Sequence, residues 1–131
     1  MKAINRHVRV SIVVAVLVAT GIFLPRVLSS RESVRDIRIV ARDMAYHVET
    51  LSERNPTLQL TAGEQVRVTF RNEDPGMLHD FGIPVLDIGT GTVTYGTEKT
   101  ITFKVPAGST GLTYVCTPHS AMMSGRIIVA K

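Results

Sequence analysis

The chain has only one cysteine, Cys116, and its positive charge is confined to one end. A single cysteine cannot form a disulfide within the chain, so the fold does not depend on one. The formal charge of +4 arises within residues 1–30, which hold four basic and no acidic side chains, whereas residues 31–131 hold 11 of each kind. A nucleic-acid partner is therefore not expected, because a groove that follows phosphates needs a net basic surface.

Beyond residue 30 the sequence also lacks internal repeats, low-complexity tracts and a strong amphipathic helical pattern. Apolar and polar residues alternate instead, as where Val66, Val68 and Phe70 are separated by polar side chains. This period of two is typical of half-buried strands, and turn-forming residues separate the alternating segments. We therefore predict an all-β domain, a small antiparallel sandwich, in which residues 43–54 are compatible with either a strand or a helical turn. The predicted strands include residues 37–39, 65–71, 101–105, 112–116 and 125–130.

Residues 1–30 have the pattern of a secretion signal or a membrane anchor. Three basic side chains within residues 2–9 precede residues 10–25, which carry no charge, so the basic end should stay cytoplasmic while the following chain crosses the membrane. The apolar run is shorter than the ~20 residues that span a bilayer unless residues 27 and 28 are included. A retained single-pass helix and a cleaved signal peptide therefore both remain possible interpretations.

The predicted organisation has three parts. Residues 1–30 form a hydrophobic helix that acts as signal peptide or transmembrane anchor, residues 31–36 form a polar linker, and residues 37–131 form the folded domain. This order places the domain in the periplasm or on the extracellular face of the cytoplasmic membrane, either anchored or released. In such an oxidising compartment a free thiol needs protection, and metal binding would provide it.

The metal-binding side chains are concentrated between residues 116 and 123. Cys116 is followed by His119, Met122 and Met123, so a thiol, an imidazole and two thioethers lie within eight residues. Soft sulfur and imidazole donors together favour copper. A second imidazole is available from His79, which lies in a turn-rich segment after a predicted strand. Two histidines, one cysteine and a weak axial methionine form the arrangement that supports one-electron exchange between Cu(I) and Cu(II).

Other chemistries fit these residues less well. A zinc enzyme could use Cys116 with two histidines, but a neighbouring methionine has no role in such a site. A cysteine nucleophile would need an accessible thiolate and a free base, which the short loop after Cys116 does not favour. A second copper centre would need further histidines, and beyond the basic N-terminal segment only His47 is left. We therefore expect one copper ion and no enzyme activity.

The segments that carry these residues resemble those of the cupredoxins, the plastocyanin, amicyanin and azurin family of small blue copper proteins. YVCTPHSAMMSGRIIV is similar to the family's C-terminal ligand loop, and NEDPGMLHDFGIP is similar to the segment that carries its first histidine. The resemblance covers about residues 35–131 and implies a Greek-key β-sandwich. It also implies one copper ion, with the ligands His79, Cys116, His119 and Met123.

The resembling segments contain two candidates for the axial ligand and one departure from the family pattern. Met122 is the alternative axial ligand, because the number of residues between it and the cysteine is like that in amicyanin, whereas Met123 stands two residues before Gly125 as in the shared pattern. Asp80 follows the first histidine where the family often has asparagine. We expect Asp80 to accept a hydrogen bond from the hydroxyl or backbone of Thr117, and its charge to favour Cu(II) and lower the reduction potential.

The resemblance implies that the protein carries single electrons between redox partner proteins. These partners would dock at the exposed edge of His119, and any membrane contact would come from the N-terminal segment. The alternative is a copper-binding or copper-delivery protein in which the metal is cargo. The methionines do not form the M-x-x-M clusters typical of Cu(I) carriers, so the sequence favours electron transfer.

Overall fold

The computed structural model describes residues 33–131, which form nine β-strands in two sheets without any α-helix. The predicted signal or anchor over residues 1–30 lies outside the described residues. Within the described part, no helix is long and apolar enough to cross a membrane. Two short 3-10 turns are present, Pro84–Leu86 and Thr117–His119. The strands are β1 (Val34–Arg42), β2 (Ala45–Val48), β3 (Leu58–Thr61), β4 (Gln65–Asn72), β5 (Gly82–Ile83), β6 (Ile88–Gly89), β7 (Glu98–Lys104), β8 (Leu112–Val115) and β9 (Ser124–Ala130).

Each of the two sheets contains one parallel pair of strands. The first sheet has the order β2-β1-β4-β7, in which β1 and β4 are parallel, and the second has the order β3-β9-β8-β5-β6, in which β3 and β9 are parallel. The predicted all-β sandwich is confirmed, but the prediction of a purely antiparallel one is wrong. Alternating hydrophobicity reports which face of a strand is buried and carries no information on the direction of its neighbour.

Strand β1 begins earlier than the sequence pattern indicated. Val34, Arg35 and Asp36 already pair in parallel with residues 65–67 of β4, so the predicted linker over residues 31–36 extends too far and the folded domain begins before residue 37. These first three residues of β1 are all exposed, which hides the alternation at the start of the strand. The ambiguous segment 43–54 contains strand β2, which pairs with β1 through a two-residue turn at Asp43 and Met44.

Four aromatic rings form the centre of the core between the sheets. Tyr46, Phe70, Phe81 and Tyr114 are all fully buried, and neighbouring ring centroids are 5.1 to 6.4 Å apart, mostly in edge-to-face contact. The Tyr46 hydroxyl donates a hydrogen bond of 2.6 Å to the backbone carbonyl of Asp80. The core is thus joined directly to the segment on which the first predicted ligand, His79, lies.

Candidate metal centre

Three of the predicted ligands meet in the folded domain, although they come from two distant segments. The Cys116 Sγ atom is 3.5 Å from Nδ1 of His79 and 3.6 Å from Nδ1 of His119, and the two Nδ1 atoms are 3.2 Å apart. His79 and Cys116 are fully buried, whereas His119 is partly exposed. Among the described residues, these three form the one group of histidine, cysteine or acidic side chains that could hold a metal ion.

The spacing of these three donor atoms fits a metal ion. The centre of a triangle with those sides lies about 2.0 Å from each corner, close to the ~2.0–2.3 Å bonds that imidazole nitrogen and thiolate sulfur make to zinc. Two imidazoles and one thiolate are the donors of blue-copper sites, and no carboxylate takes a place in the triangle. The donor set therefore fits copper.

The ligand loop is closed by its own backbone hydrogen bonds. Strand β8 places Tyr114 and, just after its end, Cys116 on the buried face. The amide of Cys116 donates to the carbonyl of Met123 at 3.0 Å, and the amide of Met123 donates to the carbonyl of His119 at 2.9 Å. Pro118 lies at the start of the 3-10 turn between them, where its missing N–H costs nothing. The loop therefore holds its residues in a fixed arrangement.

The two adjacent methionines have opposite environments. Met123 is fully buried and belongs to the same core cluster as Cys116. The side chain of Met122 is directed outward, with 58% of the residue exposed. A buried thioether beside the cysteine is available to a metal, whereas an exposed one is available to a partner surface.

His79 is fixed by its backbone and by its remote ring nitrogen. Its backbone exchanges two hydrogen bonds with Val93, and its Nε2 atom lies 2.9 Å from Oδ2 of the buried Asp74. A carboxylate can only accept, so Nε2 carries the proton and the Nδ1 lone pair is directed toward Cys116. This is the tautomer that a metal ligand needs.

Asp74 is a buried partner of His79 that the local sequence pattern did not reveal. Burial by itself raises the pKa of Asp74, but hydrogen bonds from the backbone N–H groups of Met44 and Asp43 and from His79 lower it, and the net pKa lies below its ordinary value. The carboxylate is therefore charged at neutral pH. In the sequence Asp74 stands in an Asp-Pro-Gly turn, and only the tertiary structure connects it to a histidine five residues later.

Asp80 makes the contact that was expected of it. The backbone amide of Thr117 donates to its Oδ1 atom at 2.6 Å, so the backbone and not the hydroxyl is the donor. The Asp80 amide in turn lies 3.5 Å from Sγ of Cys116. The segment that carries His79 and the ligand loop are thus connected at the cysteine sulfur and at the following residue, which limits movement of the sulfur.

The thiol itself is in an environment that disfavours its free anion. Burial raises the pKa of Cys116, although the Asp80 amide partly opposes this effect. In the absence of a metal the sulfur therefore retains its proton at neutral pH. A bound cation would replace that proton and stabilise the thiolate. The remaining histidine of the domain, His47, lies outside this group, and its Nε2 atom contacts the carbonyl of Arg42.

Fold and site together define a β-sandwich protein with a single thiolate and imidazole metal centre. The sequence model of the copper binding proteins of the plastocyanin/azurin family matches residues 78–130, which include every predicted ligand. No curated protein matches the chain significantly.

Solved structures of copper proteins are similar to this chain in fold. Rusticyanin from Thiobacillus ferrooxidans is 28% identical over 74% of this chain and 77% of its own, with a TM-score of 0.62. Auracyanin A, a "blue" copper protein from Chloroflexus aurantiacus, is 17% identical over 75% of this chain and 100% of its own, with a TM-score of 0.60, and this likeness concerns the fold alone. The chain is similar to the cupredoxins in fold and, over residues 78–130, in sequence, and the donor group fits one copper ion.

Proposed function

We propose that the protein is a mononuclear type 1 copper protein that carries single electrons between redox partners. The observation that carries the proposal is the triangle of Cys116 Sγ and the Nδ1 atoms of His79 and His119, with sides of 3.2 to 3.6 Å. The three side chains would hold the copper, and the buried Met123 would be the axial ligand in preference to the exposed Met122. The bound ion would supply the one-electron chemistry.

The protein's contribution would be to keep these donors still while the charge of the metal changes. Asp80 connects the two ligand segments through Thr117, and Asp74 holds the ring of His79. A site that rearranges little between oxidation states exchanges electrons with a small barrier. The tight loop closure between Cys116 and Met123 serves the same purpose.

Redox partners would approach at His119, the ligand that is partly exposed. Its neighbours Pro118 and Met122 are also exposed, and together they form a small apolar surface at the ligand loop. Encounters between redox proteins use small interfaces, typically below 1,200 Å², so a surface of this kind suffices.

The proposal includes export of the folded domain. Its support is the basic and then uncharged pattern of residues 1–30, which would act as a signal peptide or as a single-pass helical anchor. The domain would then work in the periplasm or at the outer face of the cytoplasmic membrane. Fusion of residues 1–36 to a reporter that is active only after export tests this part, and an inactive cytoplasmic reporter would contradict it.

Reconstitution of the protein with Cu(II) tests the electron-transfer function. We expect an intense visible thiolate-to-copper band, one copper per chain and a reversible one-electron couple. The Cys116→Ser variant should lose the band, and the Met122→Leu variant should retain it. Binding of Cu(I) only, with fast release to a chelator, would contradict the proposal in favour of copper delivery. Failure to bind copper would contradict both functions.

A further inference from the structure

We propose that Asp74 is a positioning residue of the copper site, which holds His79 in its metal-binding orientation and lowers the reduction potential through its buried charge. The effect on the reduction potential rests on the proposed electron-transfer function. The orientation of the His79 ring does not, because Asp74 would orient the ring in the metal-free protein as well. Neither the family match nor the similar structures assign a role to this residue.

The Asp74 carboxylate is surrounded by donors. Its Oδ1 atom accepts a hydrogen bond from the amide of Asp43 at 2.7 Å, and its Oδ2 atom accepts from the amide of Met44 at 3.0 Å and from Nε2 of His79 at 2.9 Å. Its own amide donates to the side chain of Asn72 at 2.9 Å. Only 8% of the residue is exposed. The two carboxylate oxygens are thus placed by contacts from two different parts of the chain, the turn at Asp43 and Met44 and the ring of His79.

One of these contacts is with an unusual turn. Asp43 and Met44 form the two-residue turn between β1 and β2, with φ values of 52° and 56°. Such a left-handed pair is normally built from glycine or asparagine, because a longer side chain is strained there. The Asp74 carboxylate accepts hydrogen bonds from the amides of both turn residues, which stabilises the turn. The hairpin and the ring of His79 therefore share one anion, and the position of one determines the position of the other.

The Asp74 carboxylate also determines the orientation of the His79 ring. Its backbone is fixed by the pairing with Val93, but this pairing does not determine which ring nitrogen faces Cys116. The carboxylate of Asp74 makes that choice, since only a protonated Nε2 can donate to it. Asp80, the other carboxylate in this region, contacts the amide of Thr117 and not an imidazole. Asp74 is thus the carboxylate that orients a ligand ring.

The charge of the Asp74 carboxylate should also affect the reduction potential of the copper. A buried anion that accepts a hydrogen bond from a ligand imidazole makes that imidazole a stronger donor and stabilises the higher charge of Cu(II). The surroundings screen this interaction weakly because Asp74 is almost completely buried. Removal of the charge should therefore favour Cu(I).

Asp74→Asn tests the electrostatic part in the copper-loaded, full-length protein. The amide keeps the shape of the side chain and removes its charge. The matched control is Glu73→Gln, which removes the same charge from the neighbouring residue, a side chain that is 38% exposed and pairs with Arg71. We expect a positive shift of the potential in Asp74→Asn that clearly exceeds the shift in the control. Equal shifts, or a negative shift in Asp74→Asn, would overturn this part.

Nitrogen NMR of the metal-free protein tests the positioning part. In the wild type we expect His79 to be a single Nε2–H tautomer with a slowly exchanging ring proton. In Asp74→Ala both tautomers should appear and the proton should exchange faster. The Met44→Gly background removes the strain of the turn and provides a folded reference if Asp74→Ala alone unfolds. An unchanged tautomer and exchange rate would overturn the positioning role, whether or not the wild type binds copper.

Discussion

The side chain of Asn55 connects Tyr46 of strand β2 to Met122 of the ligand loop. Its Nδ2 group donates to the carbonyl of Met122 at 2.9 Å, and its Oδ1 atom accepts from the amide of Tyr46 at 2.9 Å. Asn55 itself has a left-handed backbone, with φ of 48°. The outer side of the ligand loop is thus supported by a residue 67 positions earlier in the chain.

Asn55→Ala should destabilise the metal-free protein by about 3 kcal/mol, as the sum of two lost hydrogen bonds at ~1 kcal/mol each and ~1 kcal/mol of backbone strain. Asn55→Gly loses the same hydrogen bonds without the strain, so its loss should be about 2 kcal/mol. Urea unfolding measures both. Wild-type stability in both variants would show that the connection contributes nothing.

Met123 and Met122 differ in burial, so they should differ in their effect on the copper site. Met123→Leu should raise the reduction potential and change the visible spectrum of the copper protein, because a sulfur donor that favours Cu(II) is removed from the buried side of the site. Met122→Leu should leave the spectrum unchanged, since its side chain is exposed. The opposite pattern between the two variants would assign the axial role to Met122.

Asp80→Asn should raise the potential by on the order of 50–100 mV, as expected for the loss of a unit charge several Å from the metal in a partly exposed position. The amide oxygen can still accept the hydrogen bond from Thr117, so the geometry should be retained. Asp36→Asn is the control, because its exposed carboxylate pairs with Arg67 within the first sheet, whereas the ligand loop follows β8 of the second sheet. A negative shift in Asp80→Asn would refute the expectation that this carboxylate favours Cu(II).

The buried tyrosines predict how stability depends on alkaline pH. Burial raises the pKa of Tyr46 and of Tyr114 far above 10. Below pH ~10 both are protonated in the folded and unfolded states, and above it only the unfolded state releases the protons. Each tyrosine should then lower the free energy of unfolding by about 1.4 kcal/mol per pH unit. The slope between pH 10 and 11.5 should decrease by that amount in Tyr114→Phe, and an unchanged slope would contradict the prediction.

The glycine that helped to distinguish the two methionines has a packing role. Gly125 pairs with Tyr114 across strands β8 and β9, and a Cβ atom at Gly125 would overlap the Tyr114 ring. The ring cannot move aside easily, because its hydroxyl donates to the carbonyl of Pro56. Gly125→Ala should cost about 3 kcal/mol of stability, the upper end of the usual overpacking penalty. Gly89→Ala, where the added atom makes ordinary contacts, should lower the stability much less. Urea unfolding of the two variants measures both losses.

The elements that could be predicted from the sequence are those whose signal is local. Strand β4 buries alternate residues along its whole length, and β1 and β7 alternate in their later residues. The ligand loop is recognisable because Cys116 and His119 lie three residues apart. Strands β5 and β6 have two residues each, which is too short for a period to be visible, and β3 has four, Leu58–Thr61. These three strands were not predicted.

Contacts between distant segments form the other group of features that could not be predicted. The roles of Asp74 and Asn55 depend on which turn and which loop lie opposite them in space, and neither residue has an unusual local sequence. The parallel neighbours of β1 and β3 depend on how the sheets are assembled. Asp80 could be predicted because it adjoins a ligand and because the resemblance supplied its partner.

The separation of 37 positions between His79 and Cys116 makes copper a thermodynamic partner of folding. In the unfolded chain these donors are far apart, so the metal has high affinity for the folded domain alone and adds stability by mass action. Each tenfold increase of free copper above the dissociation constant then adds about 1.4 kcal/mol to the free energy of unfolding. A chelator acts on the same equilibrium in the opposite direction, and the melting temperature of the domain thereby becomes a measure of the copper available to it.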